Sequence, residues 1–400
     1  MLKLNEQAFL RAPHATLARV LEAGCFNETR VIFFGRMRLV LGHPEIQDVL
    51  KDGDRFAVDA RNAGHSSPFG LRFLPGSMKV LAENLLSLDD PRHRQLRQMV
   101  DEPFRRTAIE AQAPAIRALA DRLIDEMISR GDSDFVEAFC RQLPLQVIVE
   151  LLGFSDEVRP QFQSVMKRIG GAASPLQMIR AIFRLKPLQE ALRVEFERVR
   201  AAPRPGLLSE LVHATADGEG MSDNELLSMV FVLFVAGHET TTHLLSTSLF
   251  TLLTHDGAAA RYVAGDDTAR SIAVDELVRY CAPVQMTKPR HARFDMEFHG
   301  QELKQGARVM ALLSAGNLDP RVFDNPLELD LGRRPNRHLG WGGGPHMCLG
   351  LHLAKAETQL GLDALFERFP DVSLDTPADR LKWIARTGLR GLHTLPLKLH

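Results

Sequence analysis

An almost continuous apolar pattern from Leu226 to Leu253 constrains the fold more than any other feature of this sequence. Ser222 precedes the pattern and Glu225 follows three residues later, which is the capping box that begins many helices. The residues beyond it are apolar on most of the circumference of an α-helix. Such a helix is stable in water only when other elements cover it on several sides. The sequence therefore predicts a long central helix in the middle of a large core.

Helical patterns dominate the rest of the chain. An amphipathic helix is predicted to end at Gly131-Asp132, which has the chemistry of a helix stop. The mostly apolar stretch Leu143–Leu152 predicts a buried helix that ends at Gly153. A final helix is predicted over Cys348–Phe369.

Strand signals are fewer. Arg30–Phe34 and Met37–Leu41 flank Gly35-Arg36 and predict a hairpin. Alternating hydrophobicity also appears at His291–Phe298 and Val309–Leu313. The expected fold class is therefore mainly α, with minor β sheets near the N-terminus and in the last third.

Composition limits the classes of function. The 400 residues are 45% hydrophobic and 25% charged and contain no low-complexity linker, which predicts a single domain over residues 1–400. The formal charge of −1 gives no general attraction to nucleic acid. The longest strongly apolar run, Met229–Ala236, is far shorter than the roughly 20 residues of a membrane helix. The N-terminal residues lack a signal-peptide pattern, and the four cysteines are scattered. We expect a cytoplasmic monomer that binds neither nucleic acid nor membranes.

The glycine-rich segment that ends at Cys348 carries the clearest chemical signal. Four glycines between His338 and Cys348 allow positive φ angles and a close approach of the backbone to a bulky group. At the start of the predicted final helix, N–H groups and the helix dipole would favour a thiolate. A thiolate can ligate haem iron, where it favours cleavage of the O–O bond.

Two alternatives compete at this loop. A lone cysteine is more often a small buried apolar residue. A glycine-rich loop before a helix can also hold phosphate, although no Lys-Ser/Thr pair follows as in a P-loop. The residues alone therefore indicate an activated thiolate, which could act as a metal ligand or as a nucleophile.

A polar stretch from Ala236 to His243 interrupts the central helix. Gly237 in mid-helix costs about 1 kcal/mol relative to alanine, so a packing or functional reason is expected. A zinc site fails on geometry, because His238 and His243 are five residues apart and therefore about 140° apart around the helix. The simplest reading is that the polar side chains bond back to carbonyls of the preceding turn.

Both segments resemble the cytochrome P450 family. Trp341-Gly-Gly-Gly-Pro-His-Met-Cys-Leu-Gly350 is similar to the family's cysteine loop, Phe-Gly-x-Gly-x-His-x-Cys-x-Gly, with Trp341 where the family usually has Phe. Ala236-Gly-x-Glu-Thr240 is similar to its oxygen-binding groove. The resemblance implies the cytochrome P450 fold, with haem b (iron protoporphyrin IX) between the central helix and the cysteine-loop helix.

The resemblance also implies roles for individual residues. Cys348 would be the iron ligand, and Thr240 and Glu239 would be catalytic groups that deliver protons. The implied contacts to haem are Ala236, Gly237, Trp341, Gly342 and Gly350. The implied partners of the haem carboxylates are His93 and Arg97 of Asp-Asp-Pro-Arg-His-Arg-Gln-Leu-Arg, together with Arg290 and His346.

A further motif, Glu276-Leu-Val-Arg279, resembles the family's buried Glu-x-x-Arg pair. An arginine from the segment before the cysteine loop joins that pair in the family. Arg333 is the better match for it here, and Arg334 is the alternative.

The implied activity is insertion of one oxygen atom from O₂ into a small, mostly apolar organic molecule. A ferredoxin and a ferredoxin reductase would supply the electrons. Val232, Val235, Val284 and Met286 would line the substrate pocket, although Pro283–Arg290 is one residue longer than the common spacing. A terpenoid, fatty or aromatic compound fits equally well. The alternatives are a non-enzymatic haem-thiolate sensor and a cysteine hydrolase without haem.

Overall fold

Long helices carry most of the structure. A computed structural model describes residues 4–31, 35–67, 83–170, 185–216, 218–386 and 388–399. The α-helices in these ranges are α1 Gln7–Arg11, α2 Pro13–Glu22, α3 His43–Lys51, α4 Arg92–Asp101, α5 Arg106–Arg130, α6 Gln142–Leu152, α7 Val158–Gly170, α8 Leu185–Ala201, α9 Leu207–His213, α10 Asp223–Thr254, α11 Ala258–Ala264, α12 Asp267–Cys281, α13 Leu313–Gly316 and α14 Leu351–Arg368.

The predicted central helix is α10. Its capping box is formed: the Ser222 hydroxyl accepts from the Glu225 N–H at 3.3 Å, and the Glu225 carboxylate accepts from the Ser222 N–H at 2.9 Å. The helix packs against α6, α12 and α14 and is buried on most of its circumference. The largest buried apolar cluster surrounds it and takes in residues from Leu4 to Leu397. The prediction of a covered central helix is confirmed.

The strands form small sheets. They are β1 Phe26–Val31, β2 Gly35–Val40, β3 Phe56–Ala57, β4 Thr215–Ala216, β5 Glu219–Gly220, β6 Arg290–Ala292, β7 Met296–Phe298, β8 Gln301–Leu303, β9 Arg308–Ala311, β10 Ser373–Leu374 and β11 Leu397–Lys398. One sheet has the order β1-β2-β9-β6-β3, in which β2 and β9 are parallel and the other pairs antiparallel. The strand pairs β4-β5, β7-β8 and β10-β11 form two-stranded sheets.

The N-terminal hairpin exists, but its predicted turn is wrong. Phe26 pairs with Val40 and Val31 pairs with Gly35, so Gly35 and Arg36 lie in β2. The connection falls on residues 32–34, which lie outside the described residues. The first strand starts at Phe26, four residues earlier than its hydrophobic alternation indicated. Its register with β2 places the turn before Gly35.

Two helices end at the glycines that the sequence predicted, but the last helix starts later than predicted. Gly131 and Gly153 end α5 and α6 in the left-handed conformation, with φ of 67° and 68°. The final helix begins at Leu351, not at Cys348 as predicted. Positive φ angles at Gly342 and Gly344 and a short turn at Gly344–His346 carry the backbone past Cys348 before helical geometry starts.

A buried carboxylate joins α12 to the segment before the cysteine loop. Arg279 donates two hydrogen bonds of 2.7 Å to the Glu276 carboxylate, and Arg333 donates to the same oxygens at 3.2 and 3.1 Å. The remaining N–H groups of Arg279 donate to carbonyls of Asn317, Pro326 and Glu328. Arg333, and not Arg334, therefore completes the group, since Arg334 is exposed.

The described ranges contain no helix that is both long and apolar enough to cross a bilayer.

Substitution of Arg333 by Gln is expected to lower the free energy of unfolding by about 3–5 kcal/mol, because it breaks a buried, hydrogen-bonded charge cluster. The neighbouring substitution Arg334→Gln is the matched control and should change stability by less than about 0.5 kcal/mol. Denaturant unfolding of the haem-loaded protein measures both. Equal effects of the two substitutions would contradict this assignment of Arg333.

Candidate active site

A cavity is lined by residues of α10 and of the glycine-rich loop that contains Cys348. Three parts of the chain form its walls. They are the α10 residues Val232, Leu233, Ala236, Gly237, Thr240 and Thr241; the loop and α14 residues Trp341, His346, Met347, Cys348, Leu349, Gly350, Leu353, Ala354 and Glu357; and the flanking residues Leu85, Leu86, His93, Arg97, Phe104, Pro144 and Ile148.

The α10 wall is shaped by small residues. A side chain built on Gly237 would meet no described atom within 4 Å, so tight packing does not explain this glycine and open cavity space faces it. Thr240 also faces the cavity, and its hydroxyl donates to the carbonyl of Ala236 at 2.5 Å. The hydroxyl thus bonds back to the preceding turn, as the simplest reading expected, while it lies at the cavity wall.

The cysteine loop is held by its own backbone. The N–H of Cys348 donates to the carbonyl of Trp341 at 2.8 Å, and that of Gly342 donates to the carbonyl of Leu339 at 2.8 Å. Gly344 has φ of 63°, and a Cβ there would lie 2.2 Å from the carbonyl oxygen of Leu50 in α3. Because no side chain fits in this gap, Gly344 lets the loop rest directly on α3.

Burial raises the pKa of the Cys348 thiol, and this outweighs the lowering by the N–H of Gly350 and the charge of Arg97. The helix begins three residues after Cys348, and the N–H of Gly350, its N-cap, is the group at that end which lowers the thiol pKa. A nucleophilic cysteine needs a lowered pKa. A metal, by contrast, deprotonates a coordinating thiol directly. The site is accordingly better suited to a metal ligand than to a free nucleophile.

Buried cations and histidines line one edge of the cavity. The rings of His93 and His346 are in contact, tilted by 35° to each other, with centroids 4.1 Å apart. Burial, followed by the charge of Arg290, lowers the pKa of His346 to about 2. Among the described residues, Nε2 of His93 is buried without a hydrogen-bond partner. Arg97 donates to the carbonyl of Met347 at 2.8 Å and so ties α4 to the loop.

Arg290 is absent from the cavity wall, but its charge acts on His93 and His346 at this edge. Its side chain is 8% exposed and makes no hydrogen bond with the described part of the chain. Burial lowers the pKa of its guanidinium to about 10. Burying an unpaired charge is costly, so this edge is built to receive anionic groups.

Some predicted site residues lie elsewhere in the described structure. The Glu239 carboxylate accepts a hydrogen bond from Arg386 and is absent from the cavity wall. Val235 is 45% exposed, Val284 pairs with Leu389, and Met286 is buried against Gly388. Of the four predicted pocket residues, only Val232 lines the described cavity.

Two residues of interest were missed in the sequence. Glu357 lines the cavity with 2% exposure, and burial raises its carboxyl pKa to about 8 despite a hydrogen bond with Thr241. Its four-residue spacing from Leu353 and Gly361, which share the buried face of α14, is a signal that could have found it. Arg386 has no such signal, because its partner Glu239 is 147 residues away in sequence.

The arrangement fits an iron porphyrin with two carboxylates. Cys348 is the one cysteine on the cavity wall, Gly237 leaves open space opposite, and the buried histidines and arginines can pair with the carboxylates. The fold and the cavity thus define a haem-thiolate protein.

Comparison with known proteins identifies the family. The sequence model described as Cytochrome P450 matches residues 183–263 and 271–394. The polyketide biosynthesis cytochrome P450 PksS of Bacillus subtilis (strain 168) is 32% identical over 394 residues, or 98% of this chain and 96% of that protein. Its solved structure superposes with a TM-score of 0.89, at 31% identity and full coverage of both chains.

Two further proteins agree. The 6-deoxyerythronolide B hydroxylase of Saccharopolyspora erythraea is 34% identical over 380 residues, which cover 93% of this chain and 92% of that protein. The myxobacterial CYP267B1, solved in complex with myristic acid, has a TM-score of 0.88 at 32% identity and covers 99% and 98% of the two chains. The chain belongs to the cytochrome P450 family. It is a monooxygenase that uses haem b and depends on redox partners.

Substitution of Arg97 by Gln is expected to speed haem loss roughly 10- to 100-fold, because a hydrogen bond to a charged group contributes about 1.5–3 kcal/mol. Arg94→Gln is the matched control, since Arg94 is exposed on the same helix. Transfer of haem to excess apomyoglobin measures both rates. Similar rates for the Arg97 variant and the wild type would contradict a role of Arg97 at the haem edge.

Proposed function

We propose that this monooxygenase uses Cys348 as its iron ligand and inserts one oxygen atom from O₂ into a mostly apolar small organic molecule. A ferredoxin and a ferredoxin reductase supply the electrons. One observation carries the proposal: Cys348, Gly237 and Thr240 line one cavity, together with His93, Arg97 and His346.

The bound haem supplies the redox centre at which O₂ is activated. His93, Arg97, Arg290 and His346 would hold its carboxylates and thereby orient it in the cavity. Trp341, which packs against Leu244, Val274 and Val278, joins Gly342 and Gly350 beside the sulfur, where Trp341 shields Cys348 from water.

Ala236 and Gly237 leave room for O₂ beside α10. Thr240 could release its bond to the Ala236 carbonyl and turn its hydroxyl into the cavity, where it would hold a proton for delivery to the haem side. Glu239, the preceding residue of the helix, returns a proton to the Thr240 hydroxyl and takes up another from solvent. The two side chains act together as a proton relay.

The substrate pocket lies beyond this groove. Val232, Leu233, Leu85 and Leu86 give it an apolar surface in the described cavity. Val235, Val284 and Met286 lie outside that cavity, and their place in the pocket stays a prediction from the family resemblance. PksS carries polyketide biosynthesis in its name, and CYP267B1 binds myristic acid. A polyketide or fatty chain is therefore our first choice, and a spectral titration for the low- to high-spin shift would rank such compounds against terpenoids and aromatics.

Three features remain predictions from the sequence. They are a single domain over residues 1–400, a cytoplasmic location and a monomeric state.

Substitution of Thr240 by Val is expected to lower product formed per NADH roughly tenfold or more, because the proton relay loses its donor. The assay supplies electrons through a surrogate ferredoxin and its reductase, and omission of the ferredoxin should abolish turnover. Thr242→Val is the matched control, because Thr242 also donates to the carbonyl four residues earlier, at 2.8 Å, but is buried away from the cavity. A Thr240 variant as well coupled as the Thr242 variant would refute this role.

A further inference from the structure

A charged contact on the far side of α10 involves the acid that the relay uses. Arg386 donates to one carboxylate oxygen of Glu239. The Glu239 side chain is 20% exposed and that of Arg386 is 52% exposed, so the pair lies at the boundary between the helix and solvent. A proton relay from solvent needs an acid at such a boundary.

Neighbouring contacts fix the segment that carries Arg386. Arg390 is 4% exposed, donates to the carbonyls of Leu10 and Cys281 at 2.7 and 2.9 Å, and lies 4.1 Å over the ring of Trp383. Before Arg386, the N–H of Ile384 donates to the carbonyl of Gly391 at 2.9 Å, and after it the N–H of Gln285 donates to the carbonyl of Gly388 at 2.9 Å. Arg386 is therefore presented to Glu239 by a segment anchored both before and after it.

His243 is a buried neighbour of the Glu239–Arg386 pair. Its Nε2 lies 4.0 Å from the Glu239 carboxylate, and a Cβ on Gly391 would lie 2.2 Å from its ring. Burial lowers the pKa of His243 to about 3, so its ring is neutral and offers no charge to Glu239. Within the described residues, Arg386 is thus the cation that contacts this carboxylate.

We infer that Arg386 is a positioning residue for proton delivery, which it controls by holding the Glu239 carboxylate at the solvent boundary of α10. This inference rests on the proposed relay through Thr240. For each proton delivered, Glu239 would take one proton from solvent and pass one to the Thr240 hydroxyl, which would give up its own proton on the cavity side. The Glu239 carboxylate then renews its contact with Arg386, so both residues are restored for the next proton transfer.

The contact with Arg386 fixes the position of the Glu239 carboxylate before each proton transfer. Without the guanidinium, the Glu239 carboxylate loses the partner that fixes its orientation and can turn away from Thr240. Loss of Arg386 should therefore impair proton delivery but leave haem and substrate binding unchanged.

The test compares Arg386→Gln, Arg386→Lys, Glu239→Gln and the double variant Arg386→Gln/Glu239→Gln in the coupled assay with surrogate redox partners. Arg386→Gln should lower product per NADH roughly 10- to 100-fold and raise the solvent isotope effect. Arg386→Lys keeps the charge and should restore most of the coupling. In the Glu239→Gln background, Arg386→Gln should cause no further loss. Arg380→Gln, an exposed arginine before the segment, is the control.

Two measurements that do not depend on turnover accompany the assay: the unfolding midpoint and the substrate-induced spin shift. The unfolding midpoints of the same four haem-loaded variants should be non-additive, since either single substitution already removes the pair. The substrate-induced spin shift should be unchanged in all of them. An additive loss of coupling in the double variant, or full coupling in Arg386→Gln while Glu239→Gln is impaired, would overturn the inference alone. Full coupling in Glu239→Gln would overturn both the inference and the relay.

Discussion

The buried carboxylate of Glu276 holds together the parts of the structure on which the site depends. It accepts from two guanidinium groups, those of Arg279 and Arg333, and from the backbone N–H of Asp330. Arg279 then donates to carbonyls along the segment that leads to the cysteine loop. Asn317 accepts from the N–H of Leu339, immediately before that loop. The approach to Cys348 is thus fixed by hydrogen bonds that end in one carboxylate, and the cavity opposite α10 follows from it.

Desolvation governs the chemistry of this cavity. It raises the pKa of the Cys348 thiol, lowers that of Arg290 to about 10 and that of His346 to about 2, and leaves a nitrogen of His93 without a partner. Each of these groups is expensive to bury in the protein alone. An iron porphyrin relieves all of them together, because the metal takes the sulfur as thiolate and the carboxylates pair with the edge. The specificity of the fold for this cofactor therefore comes from Cys348, His93, Arg290 and His346, which the cofactor would provide with partners.

Local patterns allowed much of this architecture to be predicted from the sequence. The capping box at Ser222, the apolar circumference of α10 and the glycines at 131 and 153 each depend on residues a few positions apart, and the structure agrees with them. The start of α14 was misplaced, because the glycines that free the loop also delay the helix. The choice between Arg333 and Arg334, the contact of Arg386 with Glu239 and the position of Val235 depend on the approach of distant segments, which no local pattern encodes.

The identity of the iron ligand is the central claim, and one spectrum tests it most directly. In the reduced, carbon-monoxide-bound protein, a thiolate ligand shifts the Soret band far to the red of that given by a nitrogen ligand. The wild type and a Cys281→Ser variant should both show this shift, because Cys281 is buried beside Thr251 and does not line the cavity. A Cys348→Ser variant should lose it. A red-shifted band that persists in the Cys348 variant, or disappears in the Cys281 variant, would contradict the assignment.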